Sequence, residues 1–194
     1  MTQAIADLFV SEIEDHRASV ALLAGLRDKF LALCDLGKQC LASGGKILFF
    51  GNGGSAADSQ HLASELTVRY RRQRKALAGL ALTTDTSALT AVGNDLGFEH
   101  VFSRQLEALA QPNDLVIALT TSGRSPNVLH AIETARAMNV KTVVLTGQNG
   151  LPTTHSCDLL IKFPSERTAR IQEMHILFGH MFCDVLENAS ADDR

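Results

Sequence analysis

The sequence predicts an α/β protein in which a parallel sheet lies between layers of helices. Its 194 residues are 45% hydrophobic and 20% charged and include 14 Gly and 4 Pro, a balance typical of one compact domain and not of a disordered or fibrous chain. Five short apolar runs each lead through a turn signal into a stretch with helical spacing. Strands that alternate with helices in this way form parallel sheets with helices on both faces.

The elements can be assigned in order from the N-terminus. Apolar side chains at helical spacing from Ile5 to Leu41 predict two helices that end at Gly44-Gly45. The strands are predicted by β-branched and aromatic runs: KILFFG at 46–51, LAGLAL at 77–82, LVIALT at 115–120, TVVLTG at 142–147 and LLIKF at 159–163. The remaining helices are predicted near 55–68, 86–93, 99–110, 126–138 and 168–189. We therefore expect a single domain over 1–194, with N-terminal helices over 1–45 and an α/β core with a C-terminal helix over 46–194.

Charge and cysteine content limit the function. Eighteen Lys and Arg against 21 Asp and Glu give a net charge of −3, which does not suit a nucleic-acid-binding protein. No stretch approaches the roughly 18 apolar residues of a membrane span, and the N-terminus has no secretory pattern. Four cysteines without a CxxC pair are typical of a reducing compartment. We expect a cytoplasmic protein with no nucleic acid and no membrane as partner.

One cluster of positive charge stands out between positions 69 and 75, with four arginines and Lys75. Such a run is usually a solvated loop, although it can also receive a phosphate or an acidic partner. Arg69, which is nearest to the preceding helix, is the candidate functional residue of this cluster.

The first informative loop is the glycine-rich turn GNGGS at 51–55, which follows the first strand and enters a helix. In open parallel sheets the ligand crevice lies at the carboxyl ends of the strands, and a helix N-terminus attracts anions. The turn also fits the dinucleotide-binding pattern loosely, but the acidic residue expected about 20 positions later is missing. A tight turn that needs glycine for its backbone alone is the alternative.

The second informative loop, TTSGRS at 120–125, follows the third strand. Pro126 then begins a helix at a position where its missing N–H is harmless, and Ser125 is the expected cap. Several hydroxyls and free backbone N–H groups at a helix N-terminus suit a phosphate monoester. Ordinary capping is the alternative, but it leaves most of these hydroxyls unused.

Two helices carry a set of titratable side chains. His61 and Glu65 are four residues apart and share a helix face. On the final helix Gln172 and His180 share a face two turns apart, with Glu173 and His175 nearby. Together these residues can supply an acid–base pair or a four-ligand site for a divalent metal such as zinc. Spacing leaves open whether His175 or His180 faces the crevice and whether the two helices meet.

At these residues the chain resembles the sugar isomerase (SIS) domain family, and among its members the phosphoheptose isomerases. The matching segments are GNGGSAADSQHLASELTVRY, ALTTDTSALTAVGNDLGFEHVFSRQ, TTSGRSPNV and ARIQEMHILFGH. The resemblance implies a flavodoxin-like three-layer sandwich with a five-stranded parallel sheet. It further implies a homotetramer with sites at subunit interfaces and an isomerase that interconverts sedoheptulose 7-phosphate and D-glycero-D-manno-heptose 7-phosphate in bacterial heptose biosynthesis.

The resemblance also assigns roles to residues. It implies one Zn²⁺ per subunit, no organic cofactor, and Glu65 and His180 as the acid–base pair. The metal-binding positions are His61, Glu65, Gln172 and His180. The positions implied for sugar phosphate binding are Asn52, Gly53, Gly54, Ser55, Glu65, Arg69, Asn94, Asp95, Thr120, Thr121, Ser122, Ser125 and Gln172.

The chain departs from the family pattern at Val68, where Gly is common, and at Arg124, where Asn is usual. Arg124 adds a phosphate contact or points to solvent. The runner-up function is that of a non-catalytic SIS-domain relative, which binds the bacterial replication initiator protein and whose C-terminal end resembles 164–188. That regulator does not need the four metal-site residues, which this chain has, and their presence favours the enzyme.

Overall fold

The computed structural model describes residues 2–191 and contains the predicted parallel sheet. The five strands are β1 (Ile47–Gly51), β2 (Gly79–Ala81), β3 (Leu115–Thr120), β4 (Lys141–Thr146) and β5 (Leu159–Lys162). All neighbouring strands pair in parallel, in the order β2-β1-β3-β4-β5. This is the flavodoxin-like order, so the predicted fold class is confirmed.

The helices lie on both faces of the sheet. They are α1 (Thr2–Ala21), α2 (Arg27–Ala42), α3 (Gly54–Thr67), α4 (Thr86–Asp95), α5 (Ser103–Leu109), α6 (Pro126–Ala137) and α7 (Thr168–Ala191), with 3₁₀ turns at Leu22–Leu26 and Phe98–His100. Over the described part of the chain, none of them combines the length and apolar character needed to cross a membrane.

Alternate residues of β1 enter two separate cores. Ile47 and Phe49 pack with α2, α3 and α7, whereas Leu48 and Phe50 pack with α4, α5 and α6. All four side chains are fully buried, and burial of each one contributes about 1.5–3 kcal/mol. A strand buried on both faces must read as a continuous apolar run, which explains why KILFFG shows no alternation.

Two predicted elements differ most from the observed ones. β2 is regular over three residues because it lies at the sheet edge, although its hydrogen bonds to β1 continue through the Ala78 carbonyl and the Leu82 N–H. The helix predicted over 99–110 is split into a 3₁₀ turn and α5. Gly97, whose φ is +102°, separates α4 from the 3₁₀ turn, and Val101 and Phe102 separate that turn from α5.

Candidate active site

The glycine-rich turn and the hydroxyl loop lie side by side at the carboxyl ends of β1 and β3. Gly51 is opposite Leu119 in the parallel register. Because β2 and β3 flank β1 on opposite sides, this is the point where the strand order reverses, the usual ligand position in such sheets. Asn52 and Asn127 join the two loops through a pair of amide hydrogen bonds of 2.9 and 2.8 Å.

Two glycines of the turn have different roles. Gly53 has a φ of +56°, a left-handed conformation that other residues adopt only at a cost. A Cβ at Gly54 would overlap the side-chain amide of Gln172. The glycine at 54 therefore lets Gln172 of α7 lie against the first turn of α3.

A polar cavity of about 60 Å³ lies between these loops and α7. Its lining residues are Asn52, Ser55, Leu119, Thr120, Thr121, Ser125 and Gln172. Ser125 occupies the N-cap position of α6, as predicted, but its hydroxyl makes no capping bond. The Thr120 hydroxyl accepts the Gly123 N–H at 3.2 Å. Within residues 2–191 the Ser125 hydroxyl has no hydrogen-bond partner, so it is free to bind a ligand.

A second cavity of about 240 Å³ adjoins the hydroxyl loop. Thr121 is shared between the two cavities, and Ser122 and Arg124 line only the second. Arg124 is exposed and lies at the rim of the crevice. Its side chain makes no ion pair within the described chain.

The titratable set of α3 and α7 forms one cluster, composed of His61, Glu65 and His180. His61 Nε2 lies 2.8 Å from His180 Nε2 and 3.3 Å from Glu65 Oε1, and one ligand atom from each residue lies within 4.8 Å of the others. The His61 side chain is 46% exposed and that of Glu65 is 16% exposed. Imidazole nitrogens and carboxylate oxygens are side-chain donors that bind divalent metals such as zinc, and these three are close enough together to hold one ion.

α3 and α7 approach closely because Gly179 has no side chain. A Cβ at Gly179 would lie 2.5 Å from Cδ2 of Leu62, a buried core residue of α3. The next residue, His180, is thereby brought to His61. Burial foremost, followed by the charges of His61 and Arg71, lowers the pKa of His180, while Glu65 opposes the shift. A neutral imidazole, the form that binds metal or accepts a proton, is favoured.

Of the two histidines that spacing left open, the structure places His180 in the cluster. His175 is fully buried, and its ring meets Phe163 edge to face at 4.6 Å between centroids. Glu173 lies outside the cluster, where it pairs with Arg170 and His16. Gln172 lies two turns before His180, at the polar cavity.

Seven of the predicted binding residues do not line the polar cavity within one chain: Gly53, Gly54, Glu65, Arg69, Asn94, Asp95 and Ser122. Asn94 and Asp95 are exposed at the end of α4, where the Asn94 amide donates to the Asp95 carboxylate at 2.6 Å. Arg69 is also exposed, and it donates to Gln73 at 3.2 Å.

Asp58 lies near the cluster, although it was not among the site residues predicted from the sequence. It lies one turn before His61 on α3, and its Oδ2 atom is buried without a hydrogen-bond partner in the described chain. Burial raises the pKa of Asp58 to about 6, although His61 opposes the shift. The available signal was its spacing, because positions 58, 61 and 65 share one helix face.

Comparisons with a family profile, with known sequences and with solved structures all identify the same group of proteins. The SIS domain profile matches residues 14–147. The phosphoheptose isomerase of Paramagnetospirillum magneticum is 54% identical over 93% of this chain and 94% of its own length. Phosphoheptose isomerase 1 of Campylobacter jejuni is 49% identical over 94% and 98%. The structure of a phosphoheptose isomerase from Neisseria gonorrhoeae superposes with a TM-score of 0.81 at 41% identity, over 96% of this chain and 98% of its own. That of a phosphoheptose isomerase from Francisella tularensis superposes with a TM-score of 0.84 at 34% identity, over 94% of this chain and 98% of its own.

Proposed function

Since the chain belongs to the SIS domain family, and within it to the phosphoheptose isomerases, we propose that it interconverts sedoheptulose 7-phosphate and D-glycero-D-manno-heptose 7-phosphate. This reaction would supply the heptose of bacterial ADP- or GDP-heptose synthesis. The observation that carries the proposal is the His61–Glu65–His180 cluster beside a hydroxyl-lined cavity at the strand ends. The cluster suits proton transfer, and the cavity suits a sugar phosphate.

The reaction moves hydrogen between neighbouring carbons of one substrate. Loss of a C1 proton from the ketose, with gain of a proton at O2, converts the C2 carbonyl into the C1=C2 enediol. A proton then adds to C2 as the O1 proton leaves, which gives the C1 aldehyde and the C2 hydroxyl of the aldose. Of the pair Glu65 and His180, one removes the carbon-bound proton and returns it at the next carbon, and the other handles the oxygen protons. Because the oxidation and the reduction occur within one molecule, no organic cofactor is needed.

The residues present fit one Zn²⁺ per subunit. His61, Glu65 and His180 would hold it, with Gln172 as the fourth ligand implied by the family. Bound zinc would polarise the substrate oxygens as a Lewis acid. Glu65 is assigned two roles in this proposal, as a ligand that would hold the ion and as a member of the acid–base pair.

The phosphate end of the substrate is assigned to the polar cavity. The free hydroxyl of Ser125 and the N-terminal N–H groups of α6 offer donors to a dianion. Asn52, Gly53, Gly54, Ser55, Thr120, Thr121 and Ser122 complete the proposed contacts, with Gln172 between phosphate and cluster. Holding the remote phosphate aligns the reacting carbons, because binding energy is converted into orientation.

The enzyme is proposed to work as a homotetramer with sites at subunit interfaces. α1 exposes an apolar stripe that includes Ile5, Leu8 and Phe9, which are 62%, 59% and 69% exposed. Such a patch usually marks an interface. Contacts across an interface would also give Arg69, Asn94 and Asp95 a route to the substrate. In this proposal 1–45 are the packing helices of one SIS domain that spans 1–194.

A cytoplasmic location is part of the same proposal. Cys34, Cys40, Cys157 and Cys183 are unpaired in the described structure, which suits a reducing compartment. Neither nucleic acid nor a membrane is a proposed partner.

The test is turnover of sedoheptulose 7-phosphate by the purified protein, followed by NMR for the appearance of the aldose. The assay is repeated after chelation and after zinc is added back. We expect turnover that chelation abolishes and zinc restores. If folded, zinc-loaded protein gives no aldose, the proposal fails, and binding to the replication initiator protein becomes the function to test.

A further inference from the structure

The basic loop between α3 and β2 has an acidic partner within the same chain. Glu187 of α7 is fully buried, and its carboxylate accepts the backbone N–H groups of Tyr70, Arg71 and Arg72 at 2.8, 2.8 and 2.6 Å. Burial by itself would raise the pKa of Glu187, but these N–H groups and Arg74 together hold the pKa below its usual value. The loop is therefore folded around one charged carboxylate.

Arg74 connects this carboxylate to the end of α3. Its side chain is 1% exposed, and Nε lies 3.3 Å from Oε2 of Glu187. Its guanidinium also donates to the carbonyls of Glu65 and Leu66 at 2.7 and 2.8 Å. Carbonyls in the last turn of a helix have no partner within the helix. Arg74 thus fixes the backbone of Glu65, a member of the cluster.

Tyr70 connects the same carboxylate to His180. Its N–H is held by Glu187, and its ring stacks on the His180 ring with 5.4 Å between centroids and 24° between planes. Glu187 itself lies two turns after His180 on α7. One buried carboxylate is therefore joined to both proposed acid–base residues, through Arg74 to Glu65 and through Tyr70 to His180.

We propose that Glu187 is a positioning residue for the His61–Glu65–His180 cluster, acting through the folded loop 70–74 and not by touching substrate. This inference rests on the proposed isomerase function for its kinetic consequence. Its structural consequence, the affinity of the cluster for a divalent metal, does not depend on turnover. Residues that orient metal ligands typically change metal affinity or activity by 10–100-fold when they are replaced.

The variant Glu187→Gln keeps the size of the side chain but removes the charge and turns an amide NH₂ group toward the loop N–H groups. We expect zinc affinity, measured by competition with a chromophoric chelator, to fall about 10–100-fold. The visible spectrum of the Co²⁺-loaded protein should also change. In the assay kcat should fall while KM stays near that of the wild type, because the phosphate cavity is untouched.

The matched control is Asp114→Asn. Asp114 is also a buried carboxylate that accepts two backbone N–H groups, from Lys46 at 2.8 Å and Gln111 at 2.7 Å, and it pairs with the Lys46 ammonium at 2.6 Å. It lies at the amino ends of the strands, away from the cluster. This variant should lose stability to a similar degree but keep the zinc affinity and the Co²⁺ spectrum of the wild type.

A second pair of variants tests the path to His180 if Glu187→Gln does not fold. Tyr70→Leu removes the ring that stacks on His180 and should weaken zinc binding, whereas Tyr70→Phe keeps the ring and should restore it. Wild-type zinc affinity in Glu187→Gln, or in Tyr70→Leu, would overturn the inference, as would an equal loss in Asp114→Asn. A wild type that binds zinc but does not isomerise would instead refute the proposed function and leave the positioning role standing.

Discussion

At the residue scale, the proposed chemistry depends most on Glu65. Its carboxylate is largely shielded, with 16% of the side chain exposed, and Oε1 lies 3.3 Å from Nε2 of His61. Shielding strengthens the interaction of a carboxylate with nearby charges and metal ions. Both roles proposed for Glu65, proton transfer and metal binding, depend on this carboxylate.

We predict that Glu65→Gln folds normally and loses at least about 10²–10⁴-fold in kcat, the usual contribution of a general acid or base. Steady-state turnover of sedoheptulose 7-phosphate provides the measurement. The control is Glu107→Gln, which alters an exposed glutamate of α5 paired with Arg104 and should leave kcat unchanged. Near-normal activity of Glu65→Gln would remove this residue from the mechanism.

A second residue-scale prediction concerns stability and pH. Burial lowers the pKa of His175 to about 3, from an ordinary value of 6.5, more than the nearby Thr146 backbone offsets. Below pH 6.5 the unfolded chain therefore takes up a proton that the folded chain does not. Above pH 6.5 the titration of His175 does not affect the free energy of unfolding. As the pH falls from 6.5 toward 3, the free energy of unfolding decreases by about 1.4 kcal/mol per pH unit.

Urea unfolding at pH 7.5 and 5.5 measures this effect as a difference between wild type and His175→Gln. The amide does not titrate, so the variant should lose about 1.4 kcal/mol less over this range. Equal losses in the two proteins would show that His175 does not titrate as its burial requires.

At the scale of elements, the site requires α3 and α7 to touch. We predict that Gly179→Ala pushes α7 away from Leu62, destabilises the protein by about 1–3 kcal/mol, and weakens zinc binding by separating His180 from His61. The control is Gly25→Ala, because a Cβ there meets nothing within 4 Å. Chelator competition and thermal unfolding give the two readouts. Unchanged zinc affinity in Gly179→Ala would contradict the role assigned to the close approach.

The start of α6 offers a test of the phosphate assignment. Ser125 holds the N-cap position without a capping bond, so Ser125→Ala should preserve stability and raise KM with a smaller effect on kcat. Asp85→Ala is the contrast for stability, because the Asp85 carboxylate does cap α4 by accepting the Ala88 N–H at 2.9 Å. Its loss should cost about 1 kcal/mol. A stability loss in Ser125→Ala without a change in KM would support ordinary capping instead.

Elements were predictable from the sequence where local chemistry decides them. The run LVIALT became β3 without change because all six residues are buried, and continuous apolar character is the signal of such a strand. The interruption at Val101 and Phe102 of the helix predicted over 99–110 was not predictable, because the helical spacing of apolar residues continues through these two positions. The choice between His175 and His180 also had to come from the structure. Spacing fixes the angle between two residues of one helix, but not the rotation of that helix against the sheet.

At the scale of the whole molecule, the apolar stripe of α1 is left uncovered within a single chain. Its large side chains are exposed, and the proposed phosphate site has no contacts from Asn94, Asp95 and Arg69 within one chain. Such uncovered side chains and missing contacts are what the proposed tetramer, with its sites at subunit interfaces, predicts for a single chain. The sequence predicted the helix but could not show which of its faces stays uncovered, because an amphipathic helix packs equally well within one chain.

We predict that Phe9→Asp reduces the proposed tetramer to smaller species and lowers activity in parallel, because a charge in an apolar interface cannot be buried without a partner. Light scattering coupled to size exclusion gives the mass. Gln3→Asp adds the same charge to another face of α1 and should preserve the assembly. A tetramer that survives Phe9→Asp would exclude this stripe as an interface.

The most direct test of the central claim is turnover of sedoheptulose 7-phosphate in D₂O, with the position of deuterium in the product determined by NMR. An enediol mechanism in which a side chain exchanges its proton with solvent predicts deuterium at C2 of the aldose. The label should disappear together with turnover in Glu65→Gln. Product that forms in D₂O without deuterium at C2 would contradict a solvent-exchanging enediol route, and no product from zinc-loaded protein would contradict the isomerase itself.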